Sequence, residues 1–185
     1  MRILDESACD LAKAVRVVIM DVDGVLTDGR VLFTESGEGL LFNVQDGTGL
    51  KYLHRSGIGT ALVSGRVAPA VLARASALGI EHVVQGAKEK IEAYAALQRA
   101  LGFDDASAAY VGDDLTDLPV MERVGLSVAV ANAVPEVLER AHAVTCRRGG
   151  DGAVREVAEF VLKAQGKWAG ILSRYTQGER GASEG

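Results

Sequence analysis

Short apolar runs of strand length alternate with helix-patterned stretches along most of this 185-residue chain. That alternation confines the fold to an α/β class with a parallel sheet, since parallel neighbours must be joined by crossovers that cover the sheet with helices. Residues 15–20 (VRVVIM) read as a buried first strand and residues 57–63 as a second, followed by a helix over 68–77. Residues 81–84 read as a short strand, and 87–101 has helical spacing that Gly102 would end. Then come a strand over 108–111, a helix over 115–124, a strand over 126–130, and helices over 134–140 and 154–164.

Residues 30–44 (RVLFTESGEGLLFNV) break the pattern and read as a β-hairpin around a polar turn. Val31, Phe33, Leu40 and Phe42 are many apolar residues for an exposed flap. Two readings stand: a hairpin folded onto its own domain, or one packed on other subunits. The reading is one domain over 1–167, with this insertion, and a tail over 168–185. The tail carries Trp168, Ile171, Leu172 and Tyr175 before QGERGASEG, which looks disordered. It is either a frayed terminus or a segment that covers a partner.

A net charge of −5 argues against a protein that neutralises nucleic-acid phosphates. No apolar run approaches the ~18–20 residues needed to span a bilayer, and MRILDESACD does not look like a signal peptide. Cys9 and Cys146 belong to no CxxC or Cys/His cluster, which speaks against a disulfide framework or zinc. The expected compartment is a reducing cytoplasm.

Two acidic loops carry the chemistry. Asp21-Val-Asp23-Gly24 opens DVDGVLTDG directly after the first strand, and Gly112-Asp113-Asp114-Leu-Thr-Asp117 follows a later one. Parallel strands end on one edge, where ligands bind, so the loops should converge. Two carboxylates about 4 Å apart repel by ~4 kcal/mol at an effective dielectric of 20, so the crevice needs a cation or raised pKa values. An all-oxygen donor set favours Mg²⁺. An EF-hand does not fit: counted from Asp21, Gly24 falls at loop position four and Leu32 at position twelve, whereas that loop needs its Gly at six and a Glu at twelve. One of Asp21 and Asp23 can attack phosphorus while the other handles the leaving oxygen's proton. Taken singly, either loop could merely cap a helix; two of them at strand ends argue for a site. Ser64, in SGR after the second strand, and Lys90, with Lys88 as its neighbouring rival, complete a phosphate site.

At these residues the chain resembles phosphatases of the haloacid dehalogenase superfamily: DxDG, a serine after the second strand, a lysine, and GDD with Asp117 stand in order. The gap between the first two motifs is too short for a large cap domain. More closely, NVQDGTGL (43–50), LGIEHVVQGAKEK (78–90), YVGDDLTDLPVME (110–122), VGLSVAVANA (124–133) and GGDGAVREV (149–157) resemble the 3-deoxy-D-manno-octulosonate (KDO) 8-phosphate phosphatase family, over about residues 15–167. The resemblance implies a capless, Rossmann-type parallel sheet and Mg²⁺-dependent hydrolysis of a phosphomonoester through an aspartyl-phosphate. By it Asp21 is the nucleophile and a metal ligand, Asp23 the general acid/base with its backbone carbonyl on the metal, and Asp113 the third protein ligand. Ser64 and Lys90 steady the phosphoryl group. Asp23, Asn43, Val44, Gln45, Asp46, Gly47, Lys51, Arg66, Arg74 and Lys90 match substrate positions, and Asp114 and Asp117 stand behind the metal. It also implies a homotetramer whose hairpins and tails close neighbouring sites.

Some positions depart from that family. Gln45 stands where Arg is usual, Lys51 where Arg is frequent, Thr48 replaces Tyr, and Asp151 interrupts GGRG or GGKG. Lysine lacks the planar fork that holds a carboxylate in two places. The alternatives are therefore a phosphatase for a related acid phosphate such as ketodeoxynononate 9-phosphate, a broad sugar phosphatase, or a non-catalytic assembly module. His54, His82 and His142 read as surface or locally satisfied histidines, while Arg147, Arg148 and Arg155 either belong to a solvated turn or reach a substrate carboxylate across an interface.

Overall fold

In a computed structural model, described for residues 1–35 and 37–176, the order begins β1 (Arg2–Ile3), α1 (Ala8–Ala14) and β2 (Val17–Met20). The hairpin β3 (Leu32–Thr34) and β4 (Gly37–Gly39) follows, then α2 (Val44–Arg55), β5 (Gly59–Val63), α3 (Pro69–Leu78), β6 (His82–Val84) and α4 (Lys90–Leu101). The second half runs β7 (Ala108–Gly112), α5 (Leu118–Met121), β8 (Leu126–Ala129), α6 (Pro135–Leu138), β9 (Ala143–Val144), α7 (Ala153–Ala164) and α8 (Trp168–Thr176).

Seven strands form one sheet in the order β1-β9-β8-β7-β2-β5-β6, parallel except for β1. All four residues of β2 are buried, which is what a strand covered on both faces requires. β2 lies between β7 and β5, with Met20 opposite both Val111 and Leu62. The loops after these three strands therefore leave the sheet side by side. α2 and α7 pack on each other where Gly49 lets the backbone of Arg155 approach; a Cβ there would sit 3.0 Å from its Cα. Val154, Val157, Ala158, Val161 and Leu162 form the buried stripe of α7.

Several sequence expectations are corrected. The predicted helix over 115–124 is a 3-10 turn, Leu115–Asp117, followed by only Leu118–Met121. Pro119 and the capping residues before it set the start of that short helix. The helix predicted over 87–101 starts at Lys90, and that over 134–140 is Pro135–Leu138. The hairpin is shorter than 30–44: Asn43 accepts the Gln45 amide at 2.7 Å, so Val44 already opens α2. β1, α1 and the two-residue β9 were not expected.

Leu40 and Phe42 pack against the core, whereas Leu32 and Phe33 stand exposed, Phe33 at 79%. The hairpin root thus folds onto its own chain, while Leu32 and Phe33 stay uncovered nearer its tip. Residues 168–176 form a helix on α7, with Trp168 edge-on to Tyr52 at 5.9 Å. The expectation of disorder over 177–185 lies outside the described residues. Among the described residues, no helix is long and apolar enough to cross a membrane.

Candidate active site

The loop after β2 begins where the Asp21 amide donates to the Val111 carbonyl, 3.0 Å away on β7. Thr27, fully buried, pins the turn that follows: its Oγ1 accepts from the Gly24 and Gly29 amides and donates to the Val22 carbonyl, each at 3.3 Å. Gly24 adopts φ +86°, and a Cβ there would lie 2.0 Å from Asp113 Oδ2. A side chain at 24 would expel the carboxylate of the neighbouring loop, so this glycine is what lets the two acidic loops meet.

Asp21, Asp113 and Asp117 bring carboxylate oxygens within 4.8 Å of one another. Lys90, at the first turn of α4, reaches between them. Its Nζ lies 2.8 Å from Asp21 Oδ2 and 2.7 Å from Asp117 Oδ1. Three carboxylates facing one ammonium leave two negative charges in excess. Burial first, then the Asp117 charge, pushes the Asp21 carboxyl up to about 6. Burial, then Asp21 and Asp117, pushes Asp113 up to about 7. Burial works against the Lys90 ammonium, but Asp21 and Asp117 hold its pKa above the ordinary value.

The carboxylates are not equivalent. Asp117 is saturated: Oδ1 accepts from Lys90 and from the Tyr110 hydroxyl at 2.7 Å, and Oδ2 from the Asp113 and Asp114 amides at 3.0 and 3.2 Å. It anchors Lys90. Asp113 Oδ1, in contrast, is buried with no hydrogen-bond partner. A buried orphan acceptor is costly unless something positive meets it. Asp21 and Asp113 therefore fit a divalent cation with oxygen preference, which would also cancel the excess charge. Asp114 does not join them; it is exposed and accepts the Leu115 amide at 2.8 Å.

Asp23 faces the adjacent loop. Its Oδ1 accepts from Arg66 Nη1 at 3.1 Å, and the Ser64 hydroxyl lies 3.5 Å from Oδ2. Ser64 is buried and takes the Arg66 amide on its Oγ at 3.1 Å. Arg66 also pairs with Glu38 of the hairpin.

The segment 43–47 divides. Arg74, on α3, donates to the Asn43 carbonyl at 3.0 Å and lies over the Phe42 ring. Gly47 makes room for it, since a Cβ there would sit 2.4 Å from Arg74 Nη2. Val44 is exposed, Gln45 Oε1 accepts from Arg147 at 3.3 Å, and Lys51 lies two turns along α2 on an exposed position. Asp46 points elsewhere: it is buried, and it accepts from the Gly152 and Arg155 amides at 3.2 and 2.7 Å. Its carboxylate thus caps the start of α7. That helix has no capping side chain of its own, because its N-cap is Gly152.

Sequence reasoning missed Asn132. Its Nδ2 donates to the Gly24 carbonyl at 3.1 Å, and its Oδ1 accepts the Gly149 amide at 2.6 Å. Gly149 lies so close that a Cβ would come within 1.7 Å of the Gly24 oxygen. Its signal was available: Asn132 follows β8, another parallel strand ending on the same edge. The Arg155 guanidinium lies 4.9 Å from the Tyr52 ring and 5.4 Å from that of Trp168.

Residues 74–157 match the profile of haloacid dehalogenase-like hydrolases. The chain is 49% identical over 164 residues, 87% of both proteins, to the 3-deoxy-D-manno-octulosonate 8-phosphate phosphatase KdsC of Escherichia coli K12. The solved phosphatase of that description from Yersinia pestis superposes with a TM-score of 0.87 at 46% identity, covering 89% of this chain and 90% of the other. That from Moraxella catarrhalis, solved in complex with magnesium, phosphate and KDO, gives a TM-score of 0.89 at 38% identity over 91% of this chain and 98% of its own.

Proposed function

The chain belongs to the 3-deoxy-D-manno-octulosonate 8-phosphate phosphatase family of haloacid dehalogenase-like hydrolases, and from that membership we propose that it hydrolyses KDO 8-phosphate to KDO and phosphate. The observation that carries the reading is the buried cluster in which Lys90 holds Asp21 while Asp113 keeps an unpartnered oxygen. Asp21, Asp113 and the Asp23 carbonyl hold Mg²⁺, which when bound offsets charge on the phosphoryl oxygens.

The residues divide the work as follows. An Asp21 oxygen forms the new bond to phosphorus as the bond to the sugar oxygen breaks, giving an aspartyl-phosphate. Asp23 gives its proton to the departing sugar oxygen, then takes one from the water that splits the acyl phosphate. Lys90, kept charged by its two carboxylates, and the Ser64 hydroxyl hold the phosphoryl oxygens. Asp117 and Tyr110 keep Lys90 aimed. Arg66, Arg74 and segment 43–47 take the sugar acid, with Lys51 at the outer margin. The exposed Leu32, Phe33 and Leu41 fit a homotetramer whose members cover each other's open sites. The enzyme works in the cytoplasm.

The test is phosphate release from KDO 8-phosphate, ketodeoxynononate 9-phosphate and hexose phosphates, with Mg²⁺ and with EDTA. A kcat/KM at least tenfold higher for KDO 8-phosphate, lost with EDTA, is expected. Preference for another acid phosphate overturns the substrate, and no metal-dependent release from a folded sample overturns the reaction.

A further inference from the structure

Arg66 makes two ion pairs that differ in kind. Nη1 lies 3.1 Å from Asp23 Oδ1, within the catalytic edge. Nη2 pairs with Glu38 Oε1, which belongs to β4 of the hairpin. The first contact joins consecutive strand-end loops of one rigid sheet. The second reaches 28 residues back along the chain to a two-stranded element that pairs only with itself.

The guanidinium fork therefore has one prong set by the catalytic loop and one filled by a carboxylate from a separate element. A planar carboxylate on an arginine fork is the same chemistry that a sugar acid presents. The side chains are partly exposed, Arg66 at 38% and Glu38 at 29%. Exposed pairs of this kind are weak and exchange partners at little cost. A lock would be buried; a contact that an incoming anion must displace would look like this one.

We propose that Glu38 is a placeholder for the substrate's carboxylate: it occupies the outer prong of Arg66 while the site is empty and gives it up when the acid phosphate binds. This deepens the functional reading above and rests on it. Glu38 is then a specificity-determining residue outside the reacting atoms. It sets a small barrier that only a ligand with its own carboxylate removes. A phosphomonoester without a carboxylate leaves the Glu38 pair intact and gains nothing from its loss.

The experiment compares Glu38→Gln and Glu38→Ala with wild type on KDO 8-phosphate and on p-nitrophenyl phosphate, which has no carboxylate. The expected result is a KM for KDO 8-phosphate lower by about two- to fivefold, the range open to an exposed ion pair. The kcat is unchanged, the KM for p-nitrophenyl phosphate is unchanged, and product inhibition by free KDO tightens by the same factor. A KM that rises for KDO 8-phosphate, or that shifts equally for both substrates, overturns the placeholder and makes Glu38 a support for Arg66 or for the hairpin. Identical thermal unfolding of the three proteins shows that the hairpin has kept its place; the conservative Gln variant is the decisive one if the Ala variant unfolds early. Wild-type enzyme that turns over p-nitrophenyl phosphate and leaves KDO 8-phosphate untouched overturns the functional reading instead.

Discussion

Replacing Gly24 by alanine tests how the two acidic loops are allowed to meet. The added Cβ would lie 2.0 Å from Asp113 Oδ2 and 2.7 Å from its Cγ. Carbon and oxygen do not approach within 3.0 Å, so the carboxylate must retreat by about 1 Å or the loop must move. The backbone contribution is separate: φ is +86°, and a left-handed conformation costs an L-residue about 1–2 kcal/mol. In a domain of this size that lowers Tm by roughly 2–8 °C. The displacement acts on function more than on stability, since a misplacement of about 1 Å costs on the order of 100-fold in rate. Gly57→Ala supplies the control. Its φ is +77°, with nothing within 4 Å of a new Cβ, so it carries the strain without the crowding. Steady-state kinetics across a Mg²⁺ titration, beside thermal unfolding, separates the two effects. Both variants should lose Tm. Only Gly24→Ala should lose kcat by about 100-fold and need roughly tenfold more Mg²⁺ for half-activation. A Gly24→Ala enzyme with kcat and Mg²⁺ half-activation within twofold of wild type would refute the reasoning, because Asp113 would have moved without consequence for the metal.

Three further predictions follow from the same geometry. Asp21→Asn should reduce phosphate release by roughly a thousandfold or more, since an amide is no nucleophile; it should also raise the Tm of metal-free protein by removing one of three crowded charges, and wild-type turnover in a phosphate assay would sink the nucleophile assignment. Asn132→Ala strips the brace between Gly24 and Gly149; kcat should fall about tenfold with KM little changed, and Tm by several degrees, from the loss of two partly buried hydrogen bonds worth about 1 kcal/mol each. Metal-free protein should become less stable as pH rises from 5 to 8. Asp21 and Asp113 titrate near 6 and 7 in the folded chain against 3.8 ordinarily, so folding holds their protons and loses stability as they leave. Saturating Mg²⁺ should flatten that slope in a Tm-against-pH series, and a metal-free Tm that climbs across the same interval contradicts the crowding.

The sheet could be read from the chain because buried parallel strands announce themselves as runs such as VRVVIM. β1 and β9 could not, since two residues have no periodicity. They exist because each pairs with a neighbour already in place, Arg2 with Val144 and Ile3 with Ala143. The helix expected over 115–124 failed for a different reason. Its letters fit a helix, but Asp114 and Asp117 cap a tighter turn, and Asp117 is drawn inward by Lys90 and Tyr110. Local propensity lost to a long-range demand.

The site shows the same division. Asp21, Asp23, Ser64, Lys90 and Asp113 could be placed together because each stands at the end of a parallel strand or opens a helix next to one, and topology alone gathers such positions. What an acid does once there is not written in its letter. Asp113 is left with an orphan oxygen, Asp117 takes four donors, Asp114 turns out to cap its own loop, and Asp46 crosses to cap another helix. These four fates depend on which amides lie within 3 Å or so, and those amides come from chain segments up to 109 residues away. Asp46 and Asn132 then appear as parts of one brace. Asp46 holds the start of α7, the glycine turn before α7 lies on Gly24, and Asn132 ties that turn to the Gly24 carbonyl. The segment that resembles a substrate loop thus also sets the position of the Asp21–Gly24 loop. Substitutions within 43–47 should therefore split: side chains facing outward, such as Gln45, should change KM, whereas Asp46 should change kcat.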